Sequence, residues 1–483
     1  MRKLLKIILT LVSIGVVIAA NAVQSNQTAA AGDQFITNAS TNVYLPFIVN
    51  RYDPSLGIPV FGVQMYGGTQ SSRSYYPFLV DSGASWVRVF VSWEAVEPVN
   101  GSPTSFNWSS VDSSLAAART DNGQFHLVVT VGNNPSWAAD NGNGVIYPDK
   151  MDDFAEFVAA LVERYDGDGV DDAPGSPVVL YWELYNEPDS NDTQVEYRWG
   201  NDGDKYAMML AEVYPTVKAA NPHAQVVLGG LALDWFEEHG GPFVRNFLDD
   251  VLAAGGGDNF DVMNFHYYPS FAPNWTSDNS LGLYEKANEI RSILANYGFV
   301  KPLILTEAGW HDNDDPGVPS TPAMQARYIV QLFVESMASD IDLMIWWMLY
   351  DAGGFYPYNT GLVTNDATLP IQKKPAFTVY QNAVAELKSA HFVRALSAGE
   401  KGNSDLDAYL FQDNVNGRSL YVTWLNPIDT TATLPLRLPT STATVRNSRT
   451  NTTFTVYDSQ DGKIDGFVVI QVGSDPLYVE VDN

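Results

Sequence analysis

Cysteine is absent from the 483-residue chain. Disulfides and a lipidated-cysteine anchor are therefore excluded, and stability has to come from a buried core. Positive charge is scarce, 27 Lys and Arg against 56 Asp and Glu, for a formal net charge of -29. Such a surface repels phosphate backbones and excludes nucleic acid as a partner. Apolar runs are short. The run at 7–18 follows the cationic start Met1-Arg2-Lys3-Leu4-Leu5-Lys6 and precedes the small-residue site Ala20-Asn21-Ala22. It is short for a membrane span and predicts a secretory signal peptide over residues 1–22, hence an extracellular protein with no membrane span after cleavage. Residues 23–55 are expected to form a flexible leader rich in small polar residues, with an apolar patch near Tyr44 to Val49.

What is present is enough for more than one folded domain: 45% hydrophobic and 12% aromatic residues. From residue 59 onward strand-like and helix-like stretches alternate. Strands are expected at 59–66, 86–91, 125–131, before the corner at 186–188, at 226–231, 262–267, 303–306 and 343–349. Helices are expected at 71–82, 111–118, 151–165, 204–220, 242–254, 283–297, 322–338 and 375–390. Eight such units, with strands almost continuously apolar, predict a parallel sheet closed into a (β/α)₈ TIM barrel over 56–390. An open dinucleotide-binding sheet is disfavoured because no Gly-x-Gly-x-x-Gly loop follows the first strand. After residue 390, short alternating runs separated by turns such as Asn416-Gly417 and Asp461-Gly462 predict a small all-β sandwich over 391–483.

Two strands deliver a glutamate to their carboxyl ends, the face where parallel barrels place chemistry. One runs through Tyr181-Trp182-Glu183-Leu184-Tyr185 into Asn186-Glu187-Pro188, and the other is Leu303-Ile304-Leu305-Thr306-Glu307. In a closed barrel Glu187 and Glu307 face each other across the mouth, and paired carboxylates flanking a bond are the machinery of glycoside hydrolysis. Arg88 on the second strand needs a carboxylate inside the barrel, with Glu183 or Glu307 as the candidates. Tyr268 and His266 end the sixth strand, where a hydroxyl is placed to steer a carboxylate. Trp346 and Trp347 end the eighth, and one of them is expected to offer a sugar its flat face.

Asn186-Glu187-Pro188, Glu307, Arg88, His266 with Tyr268, and the terminal tryptophan resemble the retaining (β/α)₈-barrel glycoside hydrolases of clan A. The trailing β-domain is similar to that of the β-xylosidase-like members, while cellulase-like and mannanase-like members share the motif set. The resemblance implies Glu187 as acid/base, kept protonated by burial and its acidic neighbour, Glu307 as nucleophile, and Asn186 as the partner of the sugar 2-hydroxyl. It implies a carbohydrate substrate and no catalytic metal or cofactor; oligomeric state, sugar and linkage stay open. Asp166, Asp168 and their neighbours to Asp172 resemble an oxygen-rich calcium loop, although Pro177 stands where a bidentate glutamate closes an EF-hand. The alternative function is a non-catalytic carbohydrate-binding or cell-surface protein on the same scaffold.

Overall fold

A computed structural model describes residues 60–481, with 72–73, 103, 121–122, 176, 192–197, 316, 353–358, 366–368, 414 and 416 excepted. The expected signal peptide and leader lie outside the described residues. Eight parallel strands form the barrel: β1 (Val60–Gln64), β2 (Trp86–Ser92), β3 (His126–Gly132), β4 (Tyr181–Asn186), β5 (Gln225–Gly230), β6 (Met263–Tyr267), β7 (Leu303–Ala308) and β8 (Leu343–Trp346). Their order around the sheet is β5-β4-β3-β2-β1-β8-β7-β6. Parallel bridges Val227↔Val262 and Leu231↔Phe265 close the ring between β5 and β6.

Around the barrel run α1 (Tyr76–Ser82), α2 (Ser109–Leu115), α3 (Met151–Arg164), α4 (Gly203–Ala220), α5 (Phe247–Ala253), α6 (Leu283–Asn296), α7 (Pro322–Ala338) and α8 (Pro375–Leu387). Strand side chains alternate between the helices and the barrel interior. On β2, Val87, Val89 and Val91 join the large core beneath the helices, while Trp86 turns inward with Val128, Val227, Val262, Ile304, Leu343 and Ile345 to plug the barrel. One pleat above that plug the interior becomes polar: Gln64, Arg88, Thr130, Glu183, Asn264 and Thr306 are all fully buried. A dry floor beneath a ring of polar groups forces those groups to satisfy one another, and this positions the site.

The last part of the chain is all β. Strands β9 (Ala390–Ala395), β10 (Leu406–Asp413), β11 (Ser419–Leu425), β12 (Leu434–Leu438), β13 (Thr442–Asn447), β14 (Thr453–Tyr457), β15 (Val468–Val472) and β16 (Leu477–Val481) form two antiparallel sheets. A six-stranded sheet ordered β9-β10-β11-β16-β13-β14 faces the pair β12-β15. Leu406, Val445 and Val479 of the larger sheet meet Leu436, Val468 and Ile470 of the smaller one in a separate core. Phe411, Trp424 and Tyr478 pack instead into the barrel's core, and Arg327 of α7 bonds Asp475 and the Ile428 carbonyl.

Two elements depart from the sequence expectation. Ala390, expected as the last residue of the helix at 375–390, instead opens β9, which runs to Ala395 and pairs with β10. Thr442–Asn447, expected as a connection, forms β13 and pairs with both β14 and β16. Its inward residues are only Ala443 and Val445, too weak an alternation to stand out.

Candidate active site

The polar ring is built around Arg88. Its guanidinium donates from Nε and Nη2 to the two oxygens of Glu183, at 2.7 and 2.8 Å, and from Nη1 to Gln64 at 3.0 Å. The same Nη1 reaches Glu307 Oε2 at 3.2 Å, and Nη2 reaches Asn186 Oδ1 at 2.7 Å. Both carboxylates expected as partners of Arg88 are therefore engaged. Glu183 also accepts from Thr130 Oγ1, the Gly230 N–H and Asn264 Nδ2, at 2.6, 3.0 and 2.9 Å. Burial pushes the Glu183 carboxyl up, but Arg88 and the other donors outweigh it and hold it below the usual carboxylate range.

Glu307 does not follow strict alternation. Thr306 already points inward, donating toward Glu183 Oε1, so period two would turn Glu307 outward. The β6–β7 register instead slips between Phe265 and His266, and β8 shows a matching irregularity between Met344 and Trp346. This bulge lets Thr306 and Glu307 both face the barrel axis, a common device for re-aiming one side chain. There the Tyr268 hydroxyl donates to Glu307 Oε1 at 2.5 Å. Burial, with the Glu307 charge second, raises the Tyr268 hydroxyl well above its ordinary range, so it stays a proton donor.

Glu187 stands across the mouth at φ 46°, with Tyr185 two residues earlier at φ 67°. These left-handed turns break the pleat at the strand end and swing the carboxylate over the barrel. Its oxygens face His266 Nδ1 at 3.2 Å and Arg198 Nη1 at 3.2 Å. One oxygen of Glu187, one of Glu307 and a ring nitrogen of His266 lie within 4.8 Å of one another. That proximity matches the close carboxyl spacing of retaining enzymes, about 5–5.5 Å, and not the roughly 6.5–9.5 Å of inverting ones.

The expected protonation of Glu187 is corrected by this geometry. Burial favours the neutral acid, but hydrogen bonds and charge from His266 and Arg198 prevail, and the carboxyl is held well below its ordinary range. Arg198 comes from the polar connection between β4 and α4, where nothing but its charge distinguished it in the sequence. Trp347 faces the mouth: its ring meets Tyr268 edge-on at 6.2 Å and its Nε1 donates to the Tyr66 hydroxyl at 3.0 Å. Trp346 is turned away, buried in the core beneath the helices with Nε1 on the Thr360 carbonyl, and does not join the site. Trp199 is likewise core, set edge-on against Tyr185 and Tyr206.

Among the described residues two clusters have metal-type donor sets. Glu187, His266 and Glu307 form one, but Arg88 and Arg198 already donate to its two carboxylates, a cationic setting that disfavours a divalent ion. Asp166, Asp168 and Asp172 form the other. Here Asp172 accepts the N–H groups of Gly167 and Gly169, Asp166 that of Asp168, and Asp168 that of Val170. Backbone donors account for the convergence, so the loop needs no cation to hold its shape.

A closed parallel barrel with paired carboxylates at the carboxyl ends of β4 and β7 defines the clan A class of glycoside hydrolases. Residues 50–353 match the model of the cellulase family, glycosyl hydrolase family 5, and the chain belongs to that family. A probable mannan endo-1,4-beta-mannosidase F of Emericella nidulans is 30% identical over 120 residues, which are 24% of this chain and 24% of that protein. The chain thus matches about a quarter of that relative's length. In fold it is similar to a family 39 glycoside hydrolase from Bacteroides cellulosilyticus, with TM-score 0.65, 20% identity, and 88% of this chain and 82% of the other covered. It is also similar to an alpha-L-arabinofuranosidase from Thermotoga maritima, with TM-score 0.57, 14% identity, and 89% and 97% covered.

Proposed function

We propose that the protein is a secreted retaining β-glycosidase in which Glu307 is the nucleophile and Glu187 the acid/base. The observation that carries this reading is the approach of the two carboxylates to within 4.8 Å across the barrel mouth. In the first step a Glu307 oxygen attacks the anomeric carbon as the bond to the leaving oxygen breaks. Glu187 gives its proton to that oxygen, and a glycosyl ester of Glu307 remains. In the second step Glu187, now a carboxylate, takes a proton from water while the water oxygen attacks the anomeric carbon and releases Glu307. The cycle is complete with two carboxylates and water. Tyr268 and Arg88 orient Glu307, Asn186 lies beside the position a 2-hydroxyl would take, and Trp347 offers a stacking face.

The mannosidase relative makes a β-linked hexose polymer the first substrate class to test. Secretion rests on the signal-peptide pattern at the start of the chain. A non-catalytic barrel is disfavoured because both glutamates are present and aimed at one point. The test is a panel of aryl β-glucosides, β-mannosides and β-xylosides together with mannan, β-glucan and xylan, with product anomers followed by NMR. Retention of configuration is expected, and Glu307→Ala is expected to abolish turnover while leaving the unfolding midpoint near that of the unaltered protein. Inverted product, or an active Glu307→Ala variant, refutes the assignment.

A further inference from the structure

We propose that Arg198 is a positioning residue for Glu187, fixing its carboxylate and favouring the ionised state in which it waits to take a proton from water. This rests on the glycosidase reading and assigns a division of labour within it.

The geometry is that of a clamp. Nη1 of Arg198 donates to three oxygens of the same corner: the Asn186 carbonyl at 3.0 Å, the Glu187 carbonyl at 3.3 Å and Glu187 Oε2 at 3.2 Å. One nitrogen thereby ties the side chain to the left-handed backbone that carries it. The clamp is itself anchored. Arg198 is 3% exposed, and Trp199 beside it is fully buried, with its N–H on the Pro188 carbonyl at 3.1 Å. Arg198 is thus held by the corner it holds, an arrangement suited to keeping a carboxylate in one rotamer.

The charged and titratable groups around Glu187 come from several elements. His266 of β6 faces Oε1 through Nδ1, Glu307 of β7 approaches from across the mouth, and Tyr268 follows β6. Asp189 lies two residues on, buried, with its oxygens on the N–H groups of Ala232 and Leu233. Lys286 of α6 is buried behind His266 and donates to its carbonyl and to Asp234. Arg88 is committed to Glu183 and Glu307. Among the described residues, Arg198 therefore supplies the permanent positive charge that touches Glu187 directly. Glu307 and Asp189 work the other way, as neighbouring carboxylates.

A retaining cycle asks opposite things of the acid/base: protonated for the first step, ionised for the second. A guanidinium on Oε2 favours the second state. It serves breakdown of the glycosyl ester by holding the carboxylate ionised and in one orientation, and makes formation of the ester depend on acidic conditions or on a good leaving group. A side chain that merely filled space would affect both steps alike.

The test begins without substrate. The protein is labelled with [5-¹³C]glutamate, and the Glu187 carboxyl resonance is identified by its loss in Glu187→Gln. In the unaltered protein its midpoint is expected below that of free glutamate; a midpoint at or above the free value overturns the proposal. In Arg198→Gln and Arg198→Met the midpoint is expected to rise by about one pH unit or more, a roughly tenfold change in the proton equilibrium, while Arg198→Lys retains most of the depression. Unchanged midpoints in folded Gln and Met variants also overturn it.

The kinetic arm uses aryl β-glycosides of the sugar chosen by the panel. Arg198→Gln should move the alkaline limb of kcat/KM for a phenyl glycoside upward by the same shift. It should also lower kcat for a 2,4-dinitrophenyl glycoside, whose first step needs no acid and whose second step depends on a correctly oriented Glu187, by about tenfold. A uniform loss with no movement of the limb refutes the proposal. Failure of every glycoside would sink the enzyme reading and leave the NMR result to decide the coupling by itself.

Discussion

Tyr268 places its hydroxyl 2.5 Å from Glu307 Oε1, while Arg88 holds the other oxygen at 3.2 Å. The two donors differ in what they allow. Arg88 is already committed to Glu183, whereas the tyrosine bond is short, direct and made to the oxygen that Arg88 leaves free. Tyr268→Phe removes one hydrogen bond to a charged acceptor, worth about 1.5–3 kcal/mol. The expected outcome is a fall in kcat of roughly 10–100-fold with KM little altered, since the contact is to the carboxylate and not to sugar. Steady-state rates on an aryl β-glycoside check this, and a kcat within twofold of the unaltered enzyme would show the bond to be dispensable.

Glu183 makes no approach to the mouth, yet it is the fixed point of the polar ring. Glu183→Gln would leave the Arg88 guanidinium buried with Glu307 as its remaining anionic partner. Breaking one side of a buried pair costs about 3–5 kcal/mol. The lone Arg88 would also bind Glu307 more tightly and make it a poorer nucleophile. Urea unfolding should show the midpoint falling with an unchanged slope, and activity measured well below that midpoint should still be reduced. Full stability in Glu183→Gln would mean that the ring relaxes around its loss.

Gly230 is the reason His266 fits. A Cβ at residue 230 would lie 2.2 Å from His266 Nε2 and 3.1 Å from Asn264 Nδ2. The imidazole has little room to yield, because its two nitrogens face Glu187 and Thr306. Gly230→Ala should therefore cost about 1–3 kcal/mol in overpacking. It should also lower kcat by displacing the ring that hydrogen-bonds Glu187. Denaturation and rates on the same sample test this, and a variant normal in both would mean that β5 shifts as a whole.

Much of the barrel was legible because apolar, β-branched strands alternate with helices such as α3 and α7, whose apolar faces are plain in the residues. The corner at Asn186-Glu187-Pro188 was legible because proline stops a strand. The inward aim of Glu307 was read from its place at a strand end and not from the pleat, since alternation from Thr306 points it outward and only a register slip in the neighbouring strands re-aims it. Trp346 and Trp347 posed the same problem of parity: adjacent residues face opposite ways, and pairing with β7 decides which one meets the mouth. Arg198 was hidden for a different reason. A polar connection carries no periodicity, so one arginine in it looks like any solvated charge until the chain folds over Glu187.

The buried acids set opposing pH dependences, and together they place maximal stability on the acid side of neutrality. Burial pushes Asp189 up to about 6, against the backbone donors that bring it down, and pushes Asp234 up to about 6 despite Lys286. A carboxyl whose folded value lies above its unfolded value binds more protons when folded, so these two contribute stability that is lost as pH rises from about 4 through 6. Glu183 and Glu187 are shifted the other way, by Arg88 and by His266 with Arg198, each prevailing over burial. Their contribution is present above the unfolded glutamate value, about 4.3, and disappears on acidification below it. The excess of acidic residues adds self-repulsion as pH increases. Calorimetry should therefore give its highest Tm near about pH 4.5–5, with a decline toward both 3 and 7.5. A Tm that climbs steadily from 5 to 8 would mean that Asp189 and Asp234 are ionised at little cost, and that their hydrogen bonds outweigh the burial of their charge.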